Sequence, residues 1–207
     1  MESTNGGEVV GSYFTHDRDW GFVMINGGPV AISPADAVNS VATGINAQDQ
    51  IVGRYTDGNL VVQGFLDVSG SFSLIDVPQG GRRVPSTSIT GLNDQGRITG
   101  NYLDNQNRFH GFLFDVNGFS YVDIPAATDT HVNGINNLNQ FVGSYTDTHG
   151  LVHSYICDSN SCRLPLDYPG AASTVFNAIN DNGQIVGSYT DTSGALHGLR
   201  YSLTGSL

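Results

Sequence analysis

One short phrase occurs five times in this chain of 207 residues, and its spacing limits the folds that the chain can adopt. The copies contain the segments VVGSY, IVGRY, ITGNY, FVGSY and IVGSY, whose glycines are Gly11, Gly53, Gly100, Gly143 and Gly187. Successive glycines are 42, 47, 43 and 44 residues apart. A fixed period in the low forties is typical of repeat arrays such as propellers and solenoids.

The third copy, residues 91–133, has the clearest internal pattern. A turn at 93–96 is followed by alternating or β-rich segments at 97–103, 109–115 and 119–124, and a fourth such segment leads into the next copy. Four antiparallel strands in about 44 residues make a propeller blade. The sequence therefore predicts an all-β, five-bladed β-propeller, with a β-solenoid as the alternative.

We expect a single domain, 1–207, with repeats at approximately 1–43, 44–90, 91–133, 134–177 and 178–207. The last copy has too few residues for a full set of strands. The closing blade should therefore be short or completed by the chain terminus.

The charge of the chain argues against two classes of partner. The net charge is −11, with 19 acidic residues and 8 basic ones, and every basic residue is an arginine. Binding to nucleic acid or to an acidic membrane surface needs a basic face, so we expect neither. No stretch approaches the roughly 20 apolar residues of a spanning helix, and no cofactor motif is present.

Cys157 and Cys162 flank the segment DSNS, which is typical of a hairpin loop. Cross-strand neighbours lie close enough for a disulfide, so we predict this bond, with two free thiols as the alternative. Two cysteines alone leave a zinc ion short of ligands, and no metal site is expected. The disulfide favours a secreted protein, although the first residues, MESTNGG, are not a signal peptide.

Comparison of the copies separates scaffold residues from functional candidates. Tyrosines recur at one position and should fill the space between blades. A recurring Asp and His, such as Asp104 and His110, should pin a turn because the pair is present in several copies. Residues that break the pattern are the better functional candidates.

The repeats also resemble a known family. The segments AINDNGQIVGSYTD at 178–191, FHGFLFD at 109–115 and DYPGAASTVFNAIN at 167–180 are similar to the HAF-type extracellular repeat family. The resemblance covers essentially the whole chain and implies a small secreted β-propeller. Small fungal proteins of this general type act as hetero-Diels–Alderases, which join a tropolone-derived ortho-quinone methide to a humulene-type terpene; their catalytic residues have no clear counterparts here.

Departures from the repeat suggest where a ligand would bind. Trp20 is the one tryptophan and could form an aromatic wall, with a structural role in blade 1 as the alternative. Arg54 replaces Ser or Asn of the other copies, and Arg82 and Arg83 lie in the longest loop, where they could bind an anionic oxygen.

A second set of candidates lies where the innermost strands begin, around one mouth of the expected axial channel. His131 is the one histidine of this ring and could polarise a ligand carbonyl, with a purely structural position at a loop–strand junction as the alternative. We assign a catalytic role to His131, Arg83 and Arg54. The expected substrate-binding residues are Trp20, Arg82, Ser88, Thr90, Asn133, Tyr168, Phe176 and Asn177.

These candidates favour a cofactor-independent cyclase, specifically an intermolecular hetero-Diels–Alderase with a small apolar, polyketide or terpenoid ligand in an axial pocket. Such a reaction needs two partners held together and a hydrogen-bond donor, without a metal or a nucleophile. The alternatives are a carbohydrate-binding, lectin-like propeller with repeated sites, and an extracellular structural repeat protein without catalysis.

Overall fold

The computed structural model describes residues 2–3, 7–15, 17–79, 82–83 and 86–203, and every regular element in these ranges is a β-strand. The strands form antiparallel units that follow the copies of the phrase in chain order, and one parallel pair, Ser86 with Val62, joins the second and third units into an eight-stranded sheet. The all-β class and the propeller architecture are thus confirmed.

The first two sheets, named here blade 1 and blade 2, each contain four strands. Blade 1 consists of β1 (Glu2–Ser3), β2 (Val9–Thr15), β3 (Arg18–Ile25) and β4 (Gly28–Ile32). Blade 2 consists of β5 (Ala37–Ile45), β6 (Gln50–Asp57), β7 (Val62–Val68) and β8 (Ser71–Ile75). The loop that follows contains a hairpin of β9 (Pro78–Gln79) and β10 (Arg82–Arg83).

Three more blades follow. Blade 3 consists of β11 (Ser86–Leu92), β12 (Ile98–Leu103), β13 (Phe109–Asp115) and β14 (Gly118–Val122). Blade 4 consists of β15 (Asp129–Ile135), β16 (Phe141–Thr146), β17 (Val152–Cys157) and β18 (Cys162–Arg163). Blade 5 has three strands in the described residues, β19 (Ser173–Ile179), β20 (Gln184–Thr190) and β21 (Leu196–Ser202).

The first strands of blades 2 to 5 lie against one another, which places them next to the axis. Each of these strands contains a bulge at the same place, so that one residue has no partner in the ladder. The bulged residues are Thr43, Thr90, Asn133 and Asn177. A bulge turns its side chain out of the usual alternation.

Apolar residues between neighbouring blades form the core, in four clusters. At the interface of blades 2 and 3, Val52 from one side meets Ile98, Tyr102 and Phe112 from the other. Tyr55 and Tyr102 are 2% and 4% exposed, which agrees with the predicted role of the repeated tyrosines. Burying a large apolar side chain contributes about 1.5–3 kcal/mol, so these contacts hold the blades together.

Of the two predicted forms of the closing blade, the described residues show the short one, since blade 5 has three strands. β1 pairs with β2 as the first strand of blade 1, and β21 pairs with β20. Within the described ranges, no strand pairing and no apolar cluster joins blade 5 to blade 1. The expected completion of the last blade by a terminal strand is therefore not seen in this part of the chain.

The predicted disulfide is confirmed. Cys157 ends β17 and Cys162 begins β18, where the two residues are directly opposite each other. They are bonded, with their Cα atoms 4.1 Å apart. The bond closes the hairpin of blade 4 around residues 158–161.

Candidate functional site: clefts between blades

Three clefts open between successive blades at equivalent places. They lie between blades 1 and 2, 2 and 3, and 3 and 4, with volumes of about 410, 530 and 430 Å³. Each cleft contains one residue from the third strand of the earlier blade and one from the second strand of the later blade. These pairs are Val23 and Ile51, Leu66 and Ile98, and Leu113 and Phe141.

The cleft between blades 1 and 2 combines apolar walls with a buried carboxyl group. Ile25, Val30, Ile45 and Phe72 line it, and Asp67 lies in its wall. Apolar surface with a small number of placed polar groups is the usual composition of a small-molecule site. This cleft is therefore the strongest candidate site in the described residues.

Asp67 also departs from the repeat, but it is not among the site residues predicted from the sequence. The corresponding residues are Phe114, Cys157 and Tyr201, all apolar or bonded in a disulfide. Asp67 is only 3% exposed, and its Oδ1 accepts a hydrogen bond from the Gly70 N–H at 2.7 Å. Burial raises the pKa of this carboxyl group against the effect of that bond. Within the described residues, the Gly70 N–H is the one hydrogen-bond donor to this carboxyl group.

The other two clefts carry different side chains. The cleft between blades 2 and 3 has Phe114 with Asp94 and Gln95. The cleft between blades 3 and 4 has Tyr121 with Arg97 among its lining residues. All three therefore contain an aromatic ring and polar groups, but no two contain the same set.

The repeated Asp and His residues form clamps that hold turns, as predicted. Asp57, Asp104, Asp147 and Asp191 each accept two backbone N–H groups of the turn that follows. In blade 3, His110 joins two carboxylates, with Nδ1 2.6 Å from Asp123 and Nε2 3.2 Å from Asp104. In blade 4, His153 bonds Asp167 in the same way, at 2.6 Å.

The clamps shift the pKa values of their members in opposite directions. Burial lowers the pKa of His110, but hydrogen bonds to Asp123 and Asp104 outweigh it and raise the pKa overall. Burial likewise raises the pKa of Asp104, but the bonds from Arg108 and His110 outweigh it and lower the pKa. Because each group stabilises the charged form of the other, the clamp is an ion pair that stabilises the fold.

The predicted ring at the channel mouth serves mainly to join the blades. The Oγ1 of Thr90 donates to the Val132 carbonyl at 2.8 Å, and the Nδ2 of Asn133 donates to the Phe176 carbonyl at 2.8 Å. Both are bulged residues that reach the next blade. Thr90 and Asn133 thus use these donors in the fold, whereas the corresponding Asn177 of blade 5 is exposed.

Two of the predicted ring residues are aromatic or heteroaromatic, and they lie in different surroundings. Phe176 is 1% exposed and packs on Tyr201, so it belongs to the core rather than to an open wall. His131 is half-buried and packs against Phe109, with ring centroids 4.7 Å apart and the ring planes tilted by 39°. Burial lowers the pKa of His131, which keeps its imidazole neutral near pH 7.

The remaining predicted site residues lie on separate blades. Trp20 of blade 1 is half-buried opposite Tyr13, and Arg54 of blade 2 is exposed opposite Val41. Ser88 of blade 3 is half-buried opposite Asn101.

Tyr168 lies in the segment before blade 5 and stacks on Tyr189 at 3.9 Å. The backbone of Arg82 and Arg83 forms β10, and their side chains lie outside the described part of the structure. Among the described side chains on the predicted site list, the bond of Asn133 to Phe176 is the one polar contact between two members.

The described residues contain no group of three or more His, Cys, Asp or Glu side chains that could hold a metal ion. They also contain no helix of the length and apolar character needed to cross a membrane.

Comparison with known proteins supports the fold and leaves the family open. No family model and no curated protein matches the sequence. TolB from Acinetobacter baumannii is similar in structure, with a TM-score of 0.70 and 12% identity over 95% of this chain and 50% of that one.

Two further solved structures have a similar fold. The β-propeller domain of the Trilobed protease from Pyrococcus furiosus, described as having an open velcro topology, gives a TM-score of 0.55 at 10% identity, over 88% of this chain and 59% of that one. The BP39L lectin from Burkholderia pseudomallei gives a TM-score of 0.53 at 14% identity, over 91% of this chain and 61% of that one. The chain thus spans less than two thirds of each of these proteins, and at such identities the likeness shows a β-propeller and no more.

Proposed function

We propose that this chain is a carbohydrate-binding, lectin-like propeller whose principal site is the cleft between blades 1 and 2. One observation carries the proposal: a carboxyl group, Asp67, is almost fully buried in the wall of a mainly apolar cleft that also contains Phe72, with Glu8 and Asp49 as further carboxyl groups of its lining. A buried polar group without its full set of hydrogen bonds costs about 1–3 kcal/mol, which a bound donor would recover.

A sugar ring matches both parts of this cleft. Its C–H face is apolar and can pack on the Phe72 ring, while the hydroxyl groups at its edge can donate to the Asp67 carboxylate. Hydrogen bonds to a charged acceptor contribute about 1.5–3 kcal/mol each, more than neutral ones. A ligand with one apolar face and adjacent hydroxyl groups is therefore favoured over a wholly apolar one.

The recurrence of the clefts supports a binding protein rather than an enzyme with one central site. Three clefts occupy equivalent places, and the fold is similar to that of a solved lectin. The different side chains in each cleft favour unequal affinities, with the Asp67 cleft the tightest.

A glycan array followed by calorimetric titration with the best ligand tests this proposal. We expect the Asp67→Asn variant to bind about tenfold more weakly, a loss of about 1.4 kcal/mol. Asp36→Asn is the matched control, because Asp36 is an exposed carboxylate in the segment between the same two blades. Equal binding by wild type and Asp67→Asn, or an array without any bound glycan, would contradict the proposal.

The cyclase expected from the resemblance is the second candidate, and His131 is the observation that favours it. A half-buried, neutral imidazole packed against Phe109 is a suitable donor to a developing negative charge. Incubation with a humulene-type alcohol and a quinone-methide precursor, followed by product analysis, tests this activity. His131→Ala should abolish product formation while the variant remains folded.

We also propose that the protein is exported. The Cys157–Cys162 disulfide supports this, because such bonds persist in oxidising compartments. Detection of the bond by mass spectrometry in protein from the native source, and its location in the extracellular fraction, would test the proposal.

A further inference from the structure

Successive blades pack through one kind of interface, which occurs four times in the described residues. We call the side of a blade that meets the next blade its forward face, and the side that meets the preceding blade its rear face. Each interior interface packs a forward face on a rear face around one apolar cluster. In the described residues, the rear face of blade 1 and the forward face of blade 5 are left without such a cluster.

The rear face of blade 1 keeps the side chains of an interior interface. Tyr13 and Phe22 occupy the positions of Tyr55 and Phe65, and the ring centroids are 6.3 Å apart in blade 1 and 6.5 Å apart in blade 2. Tyr55 and Phe65 are 2% and 0% exposed, whereas Tyr13 is 45% exposed. Blade 1 thus presents the same aromatic pair in the same arrangement, but uncovered.

The forward face of blade 5 is uncovered in the same sense. Val186 is 50% exposed, although Val52 and Val142 at the same position of blades 2 and 4 are 0% exposed. Arg200 stands where blades 3 and 4 have the buried residues Leu113 and Ile156. This face is therefore apolar at its centre and charged at one side, so that its association should be weaker than an interior contact.

A ladder of hydrogen bonds also stops at blade 5. The side-chain amides of Asn46, Asn93 and Asn136 donate to a backbone carbonyl of the next blade, at 3.1–3.2 Å. Within the described residues, the acceptor of the Asn180 amide is Gln184 of its own blade, at 2.9 Å.

A second series of hydrogen bonds between blades, from backbone N–H groups to side-chain oxygens, also stops at blade 5. The Asp94 N–H donates to the Asn137 side chain of the following blade at 2.7 Å. The Asn137 N–H donates in the same way to the Asp181 side chain, also at 2.7 Å. The Asp181 N–H has no such acceptor in the described residues. Blade 5 therefore offers donors for which an interior blade would find acceptors on its neighbour.

We propose that the forward face of blade 5 binds the rear face of blade 1 of a second copy of this chain, head to tail. The two faces are complementary because they are the same two surfaces that pack at every interior interface. Within the described residues, no apolar cluster joins blade 1 to blade 5 of the same chain, and a second copy carries the matching face. In the sequence, alignment on the repeated glycine places Asn5 at the position of the acceptors Asn137 and Asp181.

The test uses two variants that each destroy one face. Val186→Asp places a charge on the forward face, and Tyr13→Asp places one on the rear face. Light scattering after size-exclusion chromatography, over a wide range of concentrations, should show wild-type protein at more than the mass of one chain and each variant at that mass. Val116→Asp is the matched control, since Val116 is fully exposed on a hairpin of blade 3, and it should associate like wild type.

Mixing the two variants gives the sharpest result. Each retains the face that the other has lost, so an equimolar mixture should form a species of two chains and nothing larger. Circular dichroism confirms that each variant is folded. A monomeric wild type at all concentrations, or a mixture that stays monomeric, would overturn the proposal. A monomeric wild type that Val186→Asp destabilises would mean that the chain closes on itself, which also overturns it.

Discussion

The His110 clamp allows a quantitative test of how the blades are stabilised. Replacement of His110 by Gln imitates blade 2, where Gln63 already occupies this position and donates to Asp57 at 2.8 Å. The substitution retains a hydrogen bond from a neutral donor to the Asp104 carboxylate and removes the charge that His110 shares with two carboxylates. Its effect therefore isolates the ionic part of the clamp.

The expected loss of stability in His110→Gln follows from the two hydrogen bonds of His110, to Asp123 and to Asp104, and from their exposure to solvent. A hydrogen bond to a charged group contributes about 1.5–3 kcal/mol; the variant retains such a bond to Asp104 and loses the one to Asp123. The side chain of Asp123 is 53% exposed, so solvent screens much of its share. We expect His110→Gln to lower the free energy of unfolding by about 1 kcal/mol at about pH 5.5, or the melting temperature by roughly 2–4 °C.

The pH dependence distinguishes this mechanism from simple loss of packing on Tyr102. The pKa of His110 is raised by folding, so its stabilisation is complete below the ordinary pKa near 6.5 and is lost as the pH rises through the raised value. Denaturant unfolding should show little difference between wild type and variant at about pH 9. His149→Gln is the control, because His149 is 83% exposed and should have no effect at either pH. An equal loss of stability at both pH values would refute the reasoning.

Three further predictions concern stability. Asp67→Asn should raise the free energy of unfolding at neutral pH by about 1 kcal/mol, because it removes a charge that burial disfavours. Burial raises the pKa of Asp67, so wild-type Asp67 becomes neutral as the pH falls below that pKa. Thermal melts should then show no difference between variant and wild type. Gly143→Ala should cost about 3 kcal/mol in urea unfolding, since the added Cβ would lie against the His131 carbonyl and 2.7 Å from the Tyr155 ring; Gly58→Ala, with no atom within 4 Å, should cost far less. Reduction of the Cys157–Cys162 bond should lower stability by about 2 kcal/mol, because its loop is short; no change in the melting temperature would contradict the chain-entropy account.

Most of the architecture could be predicted because the same local signals recur five times. Turn residues such as Asn93 and Asp104 bond their own turns, and these bonds depend on neighbours within four residues. The disulfide was also a local matter, since its two cysteines face each other across one hairpin. Closure of the ring was not predictable in this way, because it depends on the rotation accumulated over all the blades.

The candidate site was predicted less well, and particular residues explain why. Thr90 and Asn133 vary in a way that suggests a ligand, but bulges turn their side chains to the next blade. Phe176 breaks the pattern of its position and nevertheless packs in the core. Asp67 could have been found from the sequence, since aspartate replaces Phe114, Cys157 and Tyr201, but its burial could not.

The sequence by itself determined that this chain makes antiparallel blades, approximately where the strands of one repeat lie, and which residues pin the turns, because those properties arise within one repeat. The tertiary structure decided which of the equivalent positions in successive repeats are buried and which are exposed. Tyr55 and Tyr13 have the same sequence context, yet one is covered by a neighbouring blade and the other is not. That difference arises between repeats, where the chain's own pattern carries no information about what lies beyond its first and last blades.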